Sequence, residues 1–227
     1  MSDAPTTTGR NVPGTAALRA MIAAERRELA DLLDGLDDAQ WRAPSLCAGW
    51  RVREVAAHMS MGFRLSLPAT LVELARARGS LHRMTDRVAR RDAAAHSTAA
   101  LAAFLRDHAH HPWKPPVGGL AGALGHDVVH GLDITVALGH GRRVPADRVR
   151  VLLDAVRPGG LRFFGADLDG VRLVADDLDW SYGSGSPVHG AAQDLLLLTF
   201  GRRVPAGRLR GAASGRFVRE APGDTAG

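Results

Sequence analysis

LAGALGHDVVHGLDITVAL, running from Leu120 to Leu138, is apolar and flanked by glycines, and it carries an H-x-x-x-H run at His126 to His130. Its length allows about five helical turns. Side chains four residues apart share one face of a helix, so His126 and His130 can offer two imidazole nitrogens to one cation. One distant histidine would complete three ligands. His58, which closes the stretch PSLCAGWRVREVAAH from Pro44 to His58, is the candidate. Zinc and related transition metals accept such a set, and three protein ligands leave a coordination position open for chemistry. Paired histidines also occur as helix-surface or satisfied core residues, so the context of the pair matters.

Outward from this segment the apolar spacing predicts further helices. Thr15 is placed to cap a helix through AALRAMIAAERRELADLLDGL, where Leu18, Ile22, Leu29 and Leu33 recur at helical spacing. A second helix is expected from about Val52 through His58 and on towards Leu67, with Pro68 as a kink or break. A polar, arginine-rich stretch follows. Ser97 then caps TAALAAFLRDHAH, a third helix stopped by Pro112 and the Pro115, Pro116, Gly118, Gly119 loop, and Leu120 to Leu138 is the fourth. Another helix is expected from Ala146 to Val156, before Pro158, Gly159 and Gly160 break the pattern. Beyond it, VRLVADDLDWSY (171 to 182) alternates like two strands around a polar turn, GSGSP (183 to 187) reads as a turn, AAQDLLLLTF as a helix ended by Gly201, and RLRG as one more short strand. The expected class is mainly α, a four-helix bundle over 14–160 followed by a small α+β domain over 161–217, with flexible tails at 1–13 and 218–227.

A bundle suits a metal site, because ligands projecting inward from facing helices are held by the packing of those helices. Asp133 falls on roughly the same face as His126 and His130. There it either accepts the outer N–H of a ligating imidazole and fixes its tautomer, or serves as an exposed or capping residue. Asp127 points off the ligand face and is assigned no metal role. Glu54 lies near the third position of its helix, where a glutamate reaches back to free backbone N–H groups, and that role is favoured over one behind His58. Cys47 has no neighbour in sequence that would activate it and reads as packing. His108, His110 and His111 sit at a helix C-terminus, where imidazolium suits the dipole.

Composition sets the bounds. The 227 residues are 45% hydrophobic, enough for a substantial core, and one cysteine excludes an intramolecular disulfide. The opening MSDAPTTTGRNVPG lacks the apolar stretch of a signal peptide and no run approaches the roughly 20 residues that span a bilayer, so a cytoplasmic protein without a membrane partner is expected. The net charge of +5 comes from arginines interspersed with acidic residues rather than from a basic run, which argues against a nucleic-acid partner. Lys114 is the only lysine, a bias of GC-rich coding. There is no G-x-S-x-G elbow and no Walker-A lysine, and GSGSP lacks the remainder of a dinucleotide fingerprint.

Trp41, then PSLCAGWRVREVAAH, then HDVVHGLD, and finally LVADDLDW, the GSG turn, GAAQDLLLLTFGRR and RLRG together resemble the mycothiol-dependent maleylpyruvate isomerase family over most of the chain. That resemblance implies a DinB-like four-helix metal-binding bundle with a small C-terminal α+β domain. It places His58, His126 and His130 at the metal-ligand positions. It also implies a divalent metal, zinc foremost with nickel or another ion as alternatives, and mycothiol as cosubstrate. Arg202 matches an arginine placed to reach the cleft and hold an anionic substrate or the thiol, and is the candidate catalytic and cosubstrate-binding residue. Two departures stand out: His126 occupies a position where the isomerase that names the family has glutamate, and Arg51 replaces a capping threonine, leaving Glu54 without its usual reciprocal partner. An all-imidazole set preserves the full charge of a divalent ion. The implied activity is an isomerase or S-transferase using a small thiol on a small electrophilic, anionic metabolite, in a monomer or homodimer. The alternatives are a DinB-like metalloenzyme without a thiol and a non-catalytic metal-binding protein.

Overall fold

Side-chain caps divide the N-terminal half more finely than apolar periodicity does. The computed structural model describes residues 13–115 and 118–219, so most of both expected tails lies outside the described residues. Helix α1 (Thr15–Asp34) begins after Gly14, and Thr15 is its first residue rather than its cap. A short α2 (Asp38–Arg42) is opened by a capping box between Asp37 and Gln40. Helix α3 (Val52–Arg64) ends earlier than expected, at the extended Leu65. Pro68 is not a kink in it: Ser66 caps a new helix, α4 (Leu67–Arg76), and Pro68 falls in the first turn, where its missing N–H has no partner to lose.

The arginine-rich stretch also folds. Ser80 caps α5 (Leu81–Ala95), whose sparse apolar residues Met84 and Val88 are buried, while the buried Glu73 of α4 receives Arg76, Arg87 and Arg91. Ser97 caps α6 (Thr98–Asp107) as expected, with Ala100 N–H donating to its hydroxyl at 3.2 Å. Helices α7 (Gly119–Thr135) and α8 (Ala146–Asp154) follow. The helix from Ala146 ends before Pro158, as expected, and Pro158 also opens a helix that was not expected, α9 (Pro158–Phe164).

Helices α1, α3, α6 and α7 form the bundle: α1 and α3 each pack on both α6 and α7, and α5 lies along α3. Leu29, Val55, Met59, Leu101, Leu105 and Ile134 fill its centre. The C-terminal sheet has the order β2-β1-β3-β4, from Val171–Ala175 (β1), Ser181–Gly183 (β2), Ser186–Gly190 (β3) and Leu209–Arg210 (β4). β1 pairs antiparallel with β2 and parallel with β3. GSGSP is therefore more than a turn, since its last two residues enter β3. The crossing depends on Gly185, at φ +117°, where a Cβ would lie 2.2 Å from the Gly170 carbonyl oxygen. Helix α10 (Ala192–Thr199) covers the sheet. Its Leu195 to Leu198 share a core with Leu173, Val188, Leu152 of α8, and Leu124, Val128 and Leu132 of α7. Helix α7 is thus apolar on nearly every side because it is buried between the bundle and the sheet layer.

One charge cluster pins α1 to the segment after α7. Glu25, fully buried, receives Arg142 at 2.7 Å and Arg148 at 2.6 Å, and Arg148 also reaches Glu28. Removing one member of a buried pair leaves an uncompensated charge. Glu25→Ala is expected to lower the unfolding free energy by about 3–5 kcal/mol in urea titration, whereas Asp38→Ala, which removes an exposed partner of Arg42, is expected to change it by less than about 1 kcal/mol.

Candidate metal centre

The tight loop before α3 docks on α7, and this brings the two histidine-bearing helices into register. Pro44 and Arg51 form a bridge across the loop, Ser45 Oγ donates to the Trp50 carbonyl at 2.8 Å, and Leu46 N–H donates to the Asp133 carbonyl at 2.9 Å. His58, on α3, then faces His126 and His130 on α7. The three ring centroids lie 4.8 to 5.1 Å apart, and one nitrogen from each ring lies within 4.8 Å of the others, a set able to hold a metal ion. His58 Nδ1 is buried without any hydrogen-bond partner. A histidine placed only for packing would have that nitrogen satisfied, so the donor set fits a cation better than a plain core.

Each histidine of α7 is held from behind by a carboxylate. His130 Nδ1 lies 3.0 Å from Asp133 Oδ2, the pairing its shared helix face allowed. His126 Nδ1 lies 2.9 Å from Asp127 Oδ1, which corrects the reading of Asp127 as a bystander. An adjacent residue leaves the helix about 100° away from its neighbour, but a short aspartate can turn back to the Nδ1 of the preceding ring. Ionised carboxylates only accept, so both rings carry their proton on Nδ1 and keep the Nε2 lone pair free.

Both carboxylates are fully buried, and each has an arginine. Arg26 Nε donates to Asp127 Oδ2 at 2.8 Å. Arg202 donates to both oxygens of Asp133, from Nε and Nη2, at 2.9 Å each. Burial alone would push the Asp133 carboxyl up, yet the bonds from His130 and Arg202 hold it well below the usual carboxylate range. Burial, reinforced by the neighbouring imidazoles, pushes His58 well below the ordinary histidine value; burial also lowers His130, against the pull of Asp133. Neutral imidazoles are the form that binds metals.

Arg202 is therefore mostly buried against Asp133. Besides Asp133 it reaches the Phe200 carbonyl at 3.1 Å and Cys47 Sγ at 3.5 Å; these bonds use four of its five N–H groups, and the side chain is 21% exposed. Cys47 Sγ donates to Asp133 Oδ2 at 3.0 Å. Glu54 accepts from the Arg51 backbone N–H at 2.8 Å and from its guanidinium; a guanidinium only donates, so the bond that a capping hydroxyl would accept from the Glu54 backbone N–H has no counterpart in Arg51. His108, His110 and His111 form no metal-binding group among the described residues; the carbonyls of His108 and His111 receive Arg26.

Two tryptophans wall the centre, and the expected residue set contains neither. Trp50 packs 5.2 Å from His58, its indole N–H fixed by Asp86 of α5 at 2.7 Å. Trp113 packs edge-on 5.0 Å from His126. It fits there because residue 62 is glycine: a Cβ would lie 2.2 Å from the indole ring.

Fold and site together define a helical bundle with a three-histidine centre, closed on one side by a small α+β unit. Residues 22–112, which include His58 but neither His126 nor His130, match the family model of the mycothiol maleylpyruvate isomerase N-terminal domain. Over the whole chain the fold is that of a solved mycothiol-dependent maleylpyruvate isomerase, at 14% identity, a TM-score of 0.54 and coverage of 92% of this chain and 95% of that one. A histidine-to-alanine mutant of a mycothiol-dependent maleylpyruvate isomerase aligns over the same extent with a TM-score of 0.53. A comparison with curated proteins finds no match. The resemblance seen in the motifs thus holds in the family match of the N-terminal part and in the fold of the whole. Among the described residues, no helix is long and apolar enough to cross a membrane.

Burial, with the Asp133 charge beside it, pushes the Cys47 thiol far up, so the thiolate fraction at neutral pH falls with every unit of that rise. Iodoacetamide at pH 8 is expected to label Cys47 in the native protein at least about tenfold more slowly than in denaturant. Equal rates would show the thiol to be an accessible nucleophile.

Proposed function

We propose that this protein is a metal-dependent enzyme that uses a low-molecular-weight thiol, mycothiol by resemblance, in an isomerase or S-transferase reaction on a small electrophilic, anionic metabolite. The observation that carries this reading is the convergence of His58, His126 and His130, with the Nδ1 protons of the two α7 rings tied to Asp127 and Asp133. The match to the isomerase N-terminal domain and the shared fold support the choice of thiol chemistry.

In this reading the three histidines hold a divalent cation, zinc foremost. Bound there, the cation supplies a Lewis acid that lowers the pKa of a thiol so that it reacts as thiolate at neutral pH. The protein's own groups set the conditions. Asp127 and Asp133 fix the ring tautomers, and the neutral all-imidazole set leaves the positive charge of the site undiminished. Trp50 and Trp113 narrow the water around the centre and so strengthen every electrostatic interaction inside it. Arg202, with one N–H left over, offers a charge-assisted donor to an anionic group while holding Asp133 on His130.

Cobalt substitution tests the reading, because zinc has no visible spectrum. Adding mycothiol to the cobalt form is expected to produce an intense sulfur-to-metal band in the near ultraviolet, absent from His130→Ala, with glutathione and cysteine as selectivity controls. If no thiol at millimolar concentration perturbs the spectrum, direct carbonyl activation without a thiol takes the place of this proposal.

Lysine cannot make the paired bonds that Arg202 makes to Asp133, but it keeps the charge. Arg202→Lys is expected to raise KM for the anionic substrate about tenfold or more with the metal content unchanged. Loss of metal with an unchanged KM would confine Arg202 to holding Asp133.

A further inference from the structure

Arg26 has an unusual position for an arginine. It lies on the apolar stripe of α1 between Ile22 and Leu29, and its side chain is 0% exposed. Nε donates to Asp127, whose other oxygen holds His126 Nδ1. Nη1 donates to the carbonyls of His108 at 3.2 Å, Ala109 at 3.4 Å and His111 at 2.9 Å, gathering the chain where α6 ends. Its guanidinium lies over the ring of Phe63, 4.5 Å from the centroid. Two residues beyond His111 comes Trp113, whose backbone N–H donates to His111 Nδ1 at 3.2 Å and whose indole rests on His126.

We propose that Arg26 is a positioning residue of the metal centre: through Asp127 it sets the orientation and tautomer of His126, and through the carbonyls of 108–111 it holds the segment that puts Trp113 against the same ring. This rests on the metal-centre reading of the three histidines.

Stability alone does not explain the residue. A buried ion pair is often replaceable by apolar side chains without loss, whereas the bonds of Arg26 run to the groups that surround His126. The arrangement is also repeated. Arg202, Asp133 and His130 form the same chain of guanidinium, carboxylate and imidazole on the other side of the centre, and there the arginine comes from the C-terminal part. An arginine opposite each carboxylate holds its oxygens aimed, which is what an acceptor behind a metal-binding imidazole requires.

The test separates positioning from structure by removing both charges together. Zinc affinity is measured by chelator competition, and unfolding of the metal-free protein by calorimetry, for the wild type, His58→Ala, Arg26→Met, and Arg26→Met with Asp127→Leu. Arg26→Met alone strands a buried carboxylate and is expected to be destabilised. The double variant is expected to recover the unfolding temperature of the metal-free protein but to bind zinc about 10–100-fold more weakly, since His126 has lost its acceptor. Wild-type zinc affinity in the double variant overturns the proposal.

If the double variant does not fold, the nitrogen-15 spectrum of the zinc-loaded wild-type protein decides. A slowly exchanging proton on His126 Nδ1, exchanging faster in Arg26→Lys, supports the proposal; a His126 Nδ1 without a proton overturns it. Failure of the metal-centre reading looks different, because His58→Ala would then leave zinc affinity unchanged.

Discussion

A helix buried on nearly every side has little room for a charge, and α7 carries two aspartates and two histidines through the middle of this protein. Everything around the centre follows from neutralising them. Each carboxylate is stabilised by one imidazole N–H and one guanidinium, and neither arginine belongs to α7: Arg26 comes from α1, Arg202 from the segment after α10. The helix bearing two of the three histidines is therefore gripped from the bundle side and from the sheet side at once. Because an unpaired buried carboxylate is so costly, the two parts of the chain cannot separate without exposing or stranding Asp133.

The apolar walls obey a second constraint, close approach. Trp113 can press on His126 only because Gly62 leaves room for its indole, and Trp50 can face His58 only because Asp86 on α5 holds its N–H. This gives α4 and α5 a purpose that the bundle itself does not supply. Helix α5 braces the loop bearing Trp50, where Arg90 adds a bond to the Gly49 carbonyl at 2.9 Å, and α4 holds α5 through Glu73.

The histidine triad was legible because its information is local. A spacing of four on one helix and a histidine at the end of a recognisable motif require no knowledge of the fold. Ser97 and the AAQDLLLLTF helix were legible for the same reason. What escaped is what depends on partners far along the chain: Arg26 and Asp127 are 101 residues apart, and Arg202 and Asp133 are 69 apart. One sign of the first pair was nonetheless present, since Arg26 interrupts the stripe of Ile22, Leu29 and Leu33 at a core position, and a buried arginine implies a buried acid. Helices α4 and α5 were missed because salt bridges to Glu73, rather than an apolar stripe, bind their arginines. Strand β3 was missed because Gly185 reads as an ordinary turn until Gly170 is seen pressed against it.

An imidazole rather than a carboxylate at position 126 also gains a physical meaning from the geometry. A glutamate ligand would bring its own negative charge to the centre and would have no ring N–H to give to Asp127. With histidine at that position, the negative charge moves one bond network outward, onto Asp127, where Arg26 cancels it. The groups nearest the three facing nitrogens are then neutral, and the compensating charges stand behind them in balanced pairs. In the proposed function, a divalent cation held by the three histidines would keep its charge unshielded by any ligand carboxylate, which would favour a thiolate over a thiol beside it.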